Sequence, residues 1–389
     1  VAIGLEGLGK ILKVAVQNRV SDIHLAVGEV PGLRLNGSIV DLKHPPITHE
    51  DMHSIVRAIC HDQAAKENPA LIKDFDGSFE AKGIGRFRYN IFSNRAGLGV
   101  IFRSIPEKIP SIDEMGLPQV LKKVAHSGRG LVLVTGATGS GKSSTLAAIV
   151  NHINETKSEH ILTIEDPIEY VHTRKKSRIS QREIGRNSES FAKALKSALR
   201  QDPDVILVGE MRDIETVEIA LKAAETGHLV LSTVHTTDAI KTIGRLISLF
   251  PAEEQHMVRL RLAENLKATV SQRLLKRKDN KGRVAALEVM LVTPTISECI
   301  ADSKRTGEIP GYIEQGRENY GSQTFDQHIA DHYLAGLIDI DTAKAAATSA
   351  SDLERNLMYG AKQSDDVAKS ISGTKVDLEL PHVEQKESA

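Results

Sequence analysis

The chain has 389 residues, 40% hydrophobic and 26% charged, which is enough for two units with their own cores and ordinary for a soluble globular protein. A net charge of −1 and 4% aromatics without Trp give neither a global field for a nucleic-acid backbone nor stacking platforms for its bases, so no nucleic-acid partner is expected. Two isolated cysteines, Cys60 and Cys299, exclude a four-cysteine zinc module and fit a reducing cytoplasm. No apolar run reaches the ~20 residues of a membrane span, and no signal-peptide pattern opens the chain.

The first hundred residues read as α+β. "LRLNGSIVDL" (Leu33 to Leu42) is a hairpin signal, with Asn36-Gly37 suited to a type I′ turn. "THEDMHSIVRAIC" reads as a helix with Ile55, Val56 and Ile59 on one face. Strand grammar returns from Ser78 to Ile105, turning near Asn94 to Gly97. In "GRFRYNIF", Phe87, Tyr89 and Ile91 alternate with Arg86, Arg88 and Asn90, so one face is apolar and the other carries two guanidiniums. Arg95 and Arg103 follow on the turn and the next strand. A solvated polar face is the alternative reading of these arginines.

"IPEKIPSIDEMGLP" (105–118) is punctuated by prolines and reads as a linker. Beyond it, "LVLVTG", "HILTIED", "DVILVGE" and "HLVLSTVH" are short apolar runs without alternation, as strands buried on both faces require. Helical stretches separate them at Ser143 to Asn154, Ser190 to Arg200 and Ile214 to Glu225. Repeated β-α-β predicts an α/β fold with a mostly parallel sheet. A long helix is expected after Pro251, with Val258, Leu262, Leu266, Val270 and Leu274 as its stripe. Further helices run to about Leu357, and a polar, flexible tail covers 361–389.

"GATGSGKSS" is a P-loop in the context its chemistry demands, after a strand and before a helix. Gly136, Gly139 and Gly141 let the loop curl until backbone N–H groups converge on phosphate oxygens. Ala137, Thr138, Ser140 and Ser144 complete the cradle, Lys142 reaches the β- and γ-phosphates, and Ser143 offers its hydroxyl to Mg²⁺. ATP and Mg²⁺ are the expected ligands. Ligands of open α/β sheets sit at the carboxyl ends of strands. "LTIEDPIEY" places Glu165, Asp166 and Glu169 there, and "VILVGEMRD" places Glu210. A carboxylate near the γ-phosphate can orient or deprotonate water, and Glu210 stands where P-loop enzymes hold the metal. Helix capping and solvated loop charge are the other readings of these acids. His235, at the end of its strand, can face the phosphates; His228, before the strand, reads by itself as a structural histidine.

Four motifs in order, "GATGSGKSS", "TIEDPIEY", "DVILVGEMRD" and "TGHLVLSTVHTT", resemble the secretion-type ATPase superfamily and within it the PilT-like type IV pilus retraction ATPases. "SDIHL", "GRFRYN", "FRSIP", "QREIG", "FPAEE" and "QTFDQ" extend the resemblance over roughly residues 20–357. It implies a PAS-like domain (1–104) before a RecA-like motor domain (119–360), assembled as a homohexamer. Glu169 would be the catalytic base and Glu210 the Walker B glutamate. His228 and His235 would form a nucleotide-sensing histidine box, and Arg86, Arg88, Arg95 and Arg103 would reach nucleotide at domain or subunit boundaries.

By the same resemblance the ring works in the cytoplasm against an inner-membrane platform protein, with a paralogous ring as a further expected partner, and drives pilus retraction and twitching; the expected motion is closure of the cleft between the two domains on ATP binding and reopening on hydrolysis. One departure is that "TISECIADSK" follows Thr293-Pro294 where retraction members carry an Ala-Ile-Arg-Asn-Leu-Ile-like stretch. An accessory retraction motor is therefore the alternative. An assembly ATPase, a DNA translocase and a non-hydrolysing scaffold are further rivals.

Overall fold

Alternation in the first hundred residues builds an antiparallel sheet. The protein was described by a computed structural model covering residues 4–18, 20–35, 38–105, 108–355 and 357. The strands are β1 (Asp22–Ala26), β2 (Gly32–Leu35), β3 (Ser38–Asp41), β4 (Asp74–Ala81), β5 (Gly85–Asn94) and β6 (Gly97–Ile105). They lie in the order β3-β2-β1-β6-β5-β4, every neighbour antiparallel. Phe87, Tyr89 and Ile91 of β5 are buried, and they share a core with Leu8, Leu12, Met52 and Ile55 from helices α1 (Gly4–Gln17) and α2 (His49–Ile59). A capping box between Thr48 and Asp51 starts α2, and a short helix α3 (Gln63–Glu67) follows.

The strand read from Ser78 onward is two strands. A reversal after Ala81 uses Gly83 at φ +71° and pairs Ala81 with Gly85, a conformation open to glycine. The expected turn at Asn36-Gly37 lies outside the described residues, but β2 and β3 on either side pair from Gly32↔Asp41 to Leu35↔Ser38.

The second sheet follows α4 (Val120–Ala125). Its elements in chain order are β7 (Gly130–Thr135), α5 (Lys142–Thr156), β8 (His160–Glu165), β9 (Arg178–Glu183), α6 (Phe191–Ala198), β10 (Val205–Val208), α7 (Ile214–Glu225), β11 (Leu229–Val234), α8 (Ala239–Ser248), α9 (Gln255–Asn265), β12 (Leu266–Lys276) and β13 (Arg283–Leu291). The order is β13-β12-β7-β11-β10-β8-β9, parallel throughout except for β12 against β13. Every residue of β7, β10 and β11 is buried. Leu131 and Leu133 face one core and Val132 and Val134 the other, which is why these strands show no alternation. Ile112 and Leu117, from the stretch read as a linker, are buried in the second of those cores.

The long helix expected after Pro251 does not form. Only 255–265 is helical, and Leu266, Val270 and Leu274 belong to β12. Apolar residues four apart satisfy period 2 as well as period 3.6. Pairing with the open edge of β7 decides for strand. β9 and β13 also escape the sequence reading. β9 is polar ("RISQRE"), and β13 is recruited only by its antiparallel pairing with β12.

The chain continues through α10 (Pro294–Ala301), α11 (Ile309–Gln315), α12 (Arg317–Tyr320), α13 (Phe325–Leu334) and α14 (Ile340–Ala346). Ile296 and Ile300, at the departing motif, are buried on α10. The tail expected at 361–389 lies outside the described residues. No helix among the described residues is long and apolar enough to cross a membrane.

α13 docks on β13 through two buried histidines. His328 Nδ1 accepts from Leu287 N at 3.0 Å, and His332 Nε2 donates to Ala285 O at 2.9 Å. Burial, with His332 and Arg317 nearby, pushes His328 down to about 3. A histidine held neutral in the fold contributes stability that is complete above its unfolded pKa of about 6.5 and is lost as pH falls toward the folded value. Acidification below pH 6.5 is therefore expected to cost about 1.4 kcal/mol per pH unit at this one site. A shallower acid slope in the melting temperature of His328→Asn than of the parent chain checks this.

Candidate active site

The parallel strands β7, β8, β10 and β11 all end at the same edge, and a cleft of about 390 Å³ opens there. Its first wall is the glycine loop between β7 and α5. Gly136, Gly139 and Gly141 have φ of +144°, +76° and +92°, a region that side-chain-bearing residues rarely adopt. A Cβ on Gly136 would stand 2.5 Å from Gln272 O. Lys142 opens α5 and is buried; its Nζ donates to Gly136 O (2.9 Å) and Ala137 O (3.0 Å). Burial holds the Lys142 ammonium below its usual range, opposed by the charges of Glu169 and Glu210. Ser140 Oγ is buried without a hydrogen-bond partner. Thr138, Gly139, Lys142 and Ser143 line the cleft, while Ser144 Oγ pairs with Tyr170 Oη at 2.7 Å. The other flank of the loop borders a second cavity of about 350 Å³, reached by Gly136, Ala137, Ser140, Gln272 and Arg283.

The second wall is acidic. Glu165 ends β8 and accepts from Thr163 Oγ1 (2.6 Å) and Gln181 Nε2 (3.2 Å); burial raises its pKa against those hydrogen bonds. Asp166 is also raised, by burial first and then by Glu210. Glu169 Oε1 accepts from Arg88 Nη1 at 3.2 Å, so β5 reaches into the cleft from the other sheet. Glu210 follows β10. Its carboxylate meets Arg212 Nε at 2.7 Å and lies 3.6 Å from His235 Nε2. Burial, then Lys142, lowers the His235 pKa, and Glu210 opposes this.

Lys142, Ser143, Glu169, Glu210, His235 and Arg88 are thus brought together. Ser143 and Glu210 offer two hard oxygen donors to one cleft. Among the described residues no group of three or more His, Cys, Asp or Glu could hold a metal. Mg²⁺ fits that sparse set, since it keeps waters and takes phosphate oxygens as its other ligands.

Four residues from outside the glycine loop that are expected at the nucleotide do not line this cleft. His228 sits at the opposite end of β11, about 20 Å away along the strand, with Nδ1 hydrogen-bonded to Ala223 O at 2.9 Å. A buried strand six residues long cannot present both ends to one ligand. Arg86 Nη2 is taken by Glu183 at 2.7 Å. Arg103 Nε pairs with Asp22 at 2.9 Å, and Arg95 is exposed on the β5–β6 turn.

Sequence reasoning also missed residues that build the site. Gln272 on β12 clamps the loop, with Nε2 donating to Ser140 O at 2.8 Å and Oε1 accepting from Thr145 Oγ1 at 2.7 Å. Reading β12 as helix hid it. Gln181 holds the Glu169 segment, with Nε2 donating to Tyr170 O (2.9 Å) and Oε1 accepting from His172 N (2.8 Å). "RISQRE" has one apolar residue, Ile179, so no periodic signal marks this strand. His172 also lines the cleft, and burial, then Lys175, pushes it down to about 4.

Residues 6–336 match the family described as type II/IV secretion system protein. The type IV pilus retraction ATPase PilT of Pseudomonas aeruginosa is 46% identical over 87% of this chain and 97% of its own length. The type IV pilus ATPase PilU of the same organism is 38% identical over 93% and 94%. A crystal structure of the pilus retraction motor PilT with bound ADP superposes with a TM-score of 0.81 at 43% identity, covering 90% of this chain and 99% of that one.

Removing the Gln272 clamp leaves the buried Ser140 carbonyl and Thr145 hydroxyl unsatisfied, at about 1–3 kcal/mol each. Gln272→Ala is expected to weaken ADP binding at least about tenfold, measured by calorimetry.

Proposed function

The chain belongs to the type II/IV secretion system protein family, and from that premise we propose that it is an ATP-hydrolysing motor that retracts type IV pili. The observation that carries this reading is the convergence of Lys142, Glu169, Glu210 and His235 on one cleft beside the glycine loop. The loop amides and Lys142 bind and orient the triphosphate. Glu169 stands in reach of a water at the terminal phosphate. As the water oxygen bonds to phosphorus, the anhydride P–O bond breaks, ADP leaves with the electron pair, and the water proton passes to the Glu169 carboxylate. Ser143 and Glu210 would hold Mg²⁺, which when bound offsets phosphate charge. Arg88, paired with Glu169, supplies the cation nearest the reacting acid.

The motor is a homohexamer. Arg95 and Arg103 have exposed side chains, which leaves them available to a neighbouring subunit's nucleotide. Closing the six-stranded unit over the cleft on ATP binding, and reopening after hydrolysis, moves one rigid body against another. Passed round the ring at the cytoplasmic face of the inner membrane, that motion acts on a membrane-embedded platform protein and returns pilin to the bilayer. Higher identity to PilT than to PilU supports a primary over an accessory motor.

In cells that carry this gene, its deletion is expected to leave surface pili in excess and to abolish twitching; unchanged pili on inspection by electron microscopy would reject the retraction role. In the purified protein, Glu169→Gln is expected to lower steady-state ATP turnover by roughly 10²- to 10⁴-fold while ATP binding stays near the parent value. Turnover close to the parent chain's would remove Glu169 as base.

A further inference from the structure

A single buried carboxylate joins the segment that carries Glu169 to the other sheet. β9 aims Gln181 and Glu183 at residues 168–172. Glu183 Oε2 accepts from Ile168 N at 3.2 Å, one residue before Glu169. From the six-stranded unit, Ser78 Oγ on β4 donates to the two oxygens of this carboxylate at 2.8 and 3.0 Å, and Arg86 Nη2 on β5 donates to Oε2 at 2.7 Å. Arg86 Nη2 also donates to Ser78 Oγ at 2.9 Å. Glu183 and Ser78 are 4% and 1% exposed. The oxygen that receives the Ile168 amide is therefore the oxygen that receives Arg86. Two residues further along β5, Arg88 contacts the Glu169 carboxylate itself. β5 meets this short segment twice, once directly and once through Glu183.

We propose that Glu183 is a positioning residue that ties the placement of Glu169 to the placement of the six-stranded unit; this rests on the reading of Glu169 as the base. A carboxylate buried this deeply is strongly unfavourable without its cation. When β5 moves, Glu183 follows Arg86 or turns to another donor, and in both cases it releases or drags the Ile168 amide. Rigid-body motion of one unit is converted into a shift of the reacting acid in the other. A pair that merely fastened the two sheets would leave residues 166–172 indifferent to Arg86. An arginine acting on nucleotide directly would act independently of Glu183.

The test uses the full chain and compares Arg86→Gln, Glu183→Gln and the double variant by ATPase kinetics and by amide hydrogen exchange. Each single change is expected to lower kcat roughly 10- to 100-fold, the range set by losing a hydrogen bond to a charged group, with KM for ATP within about twofold. Exchange in 166–172 is expected to rise by a similar factor. The double variant is expected to be no worse than either single one, and Arg86→Lys to recover most of the kcat. Should Arg86→Gln not fold, Ser78→Ala takes its place, with a rise in exchange of about three- to tenfold.

Multiplicative losses in the double variant, a raised KM at preserved kcat, or unchanged exchange in 166–172 would overturn the proposal. Exchange is read without turnover. A parent chain that hydrolyses no ATP would therefore reject the base assignment while the link between Arg86 and residues 166–172 remained measurable.

Discussion

Backbone amides at the end of β7 must point at one place, and the rest of the site depends on that constraint. Three glycines at positive φ make the bend accessible. They do not hold it, because residues that adopt many conformations also leave them readily. The holding is done from β12, where Gln272 grips Ser140 and Thr145 across the loop. Stacking β12 in parallel beside β7 is thus part of the phosphate site as well as of the sheet.

Around that bend the cleft is a set of charges at close quarters. Lys142 lies in the field of Glu169 and Glu210. Glu169 is met by Arg88, and Glu210 by Arg212. Two further acids, Glu165 and Asp166, are pushed toward their neutral forms by burial. A polyanion entering such a site finds donors already oriented, which lowers the reorganisation needed when charge moves in the reaction. One of the cations comes from β5 of the other sheet, so the electrostatics of hydrolysis and the relative position of the two units are a single problem.

The six-stranded unit consequently contributes Arg88 to the lining of the cleft. Arg86 and Arg88 occupy one face of one strand because alternation puts every second residue there, while Phe87, Tyr89 and Ile91 anchor the strand from behind. A stiff strand with an apolar back and a cationic front can displace both guanidiniums together. β9 receives that face with Glu183, and Arg88 reaches the Glu169 segment.

By itself the sequence determined the local items: the glycine loop, the strands buried on both faces, the acids at their ends and the alternating face of β5. Each depends on neighbours within a few residues, where period and conformational preference are decisive. Tertiary structure alone decided which partners those items have. Leu266, Val270 and Leu274 suit a helix or a strand equally, and only the open edge of β7 settles them. Arg86, Arg88 and Arg103 are the same residue type on adjacent strands, yet they pair with Glu183, Glu169 and Asp22 respectively. His228 and His235 look alike in the chain and stand at opposite ends of β11. Contacts between residues 81 to 97 positions apart leave no periodic trace: strand pairing inside the six-stranded sheet sets Asp22 opposite Arg103, and the packing of the two sheets sets the other two pairs.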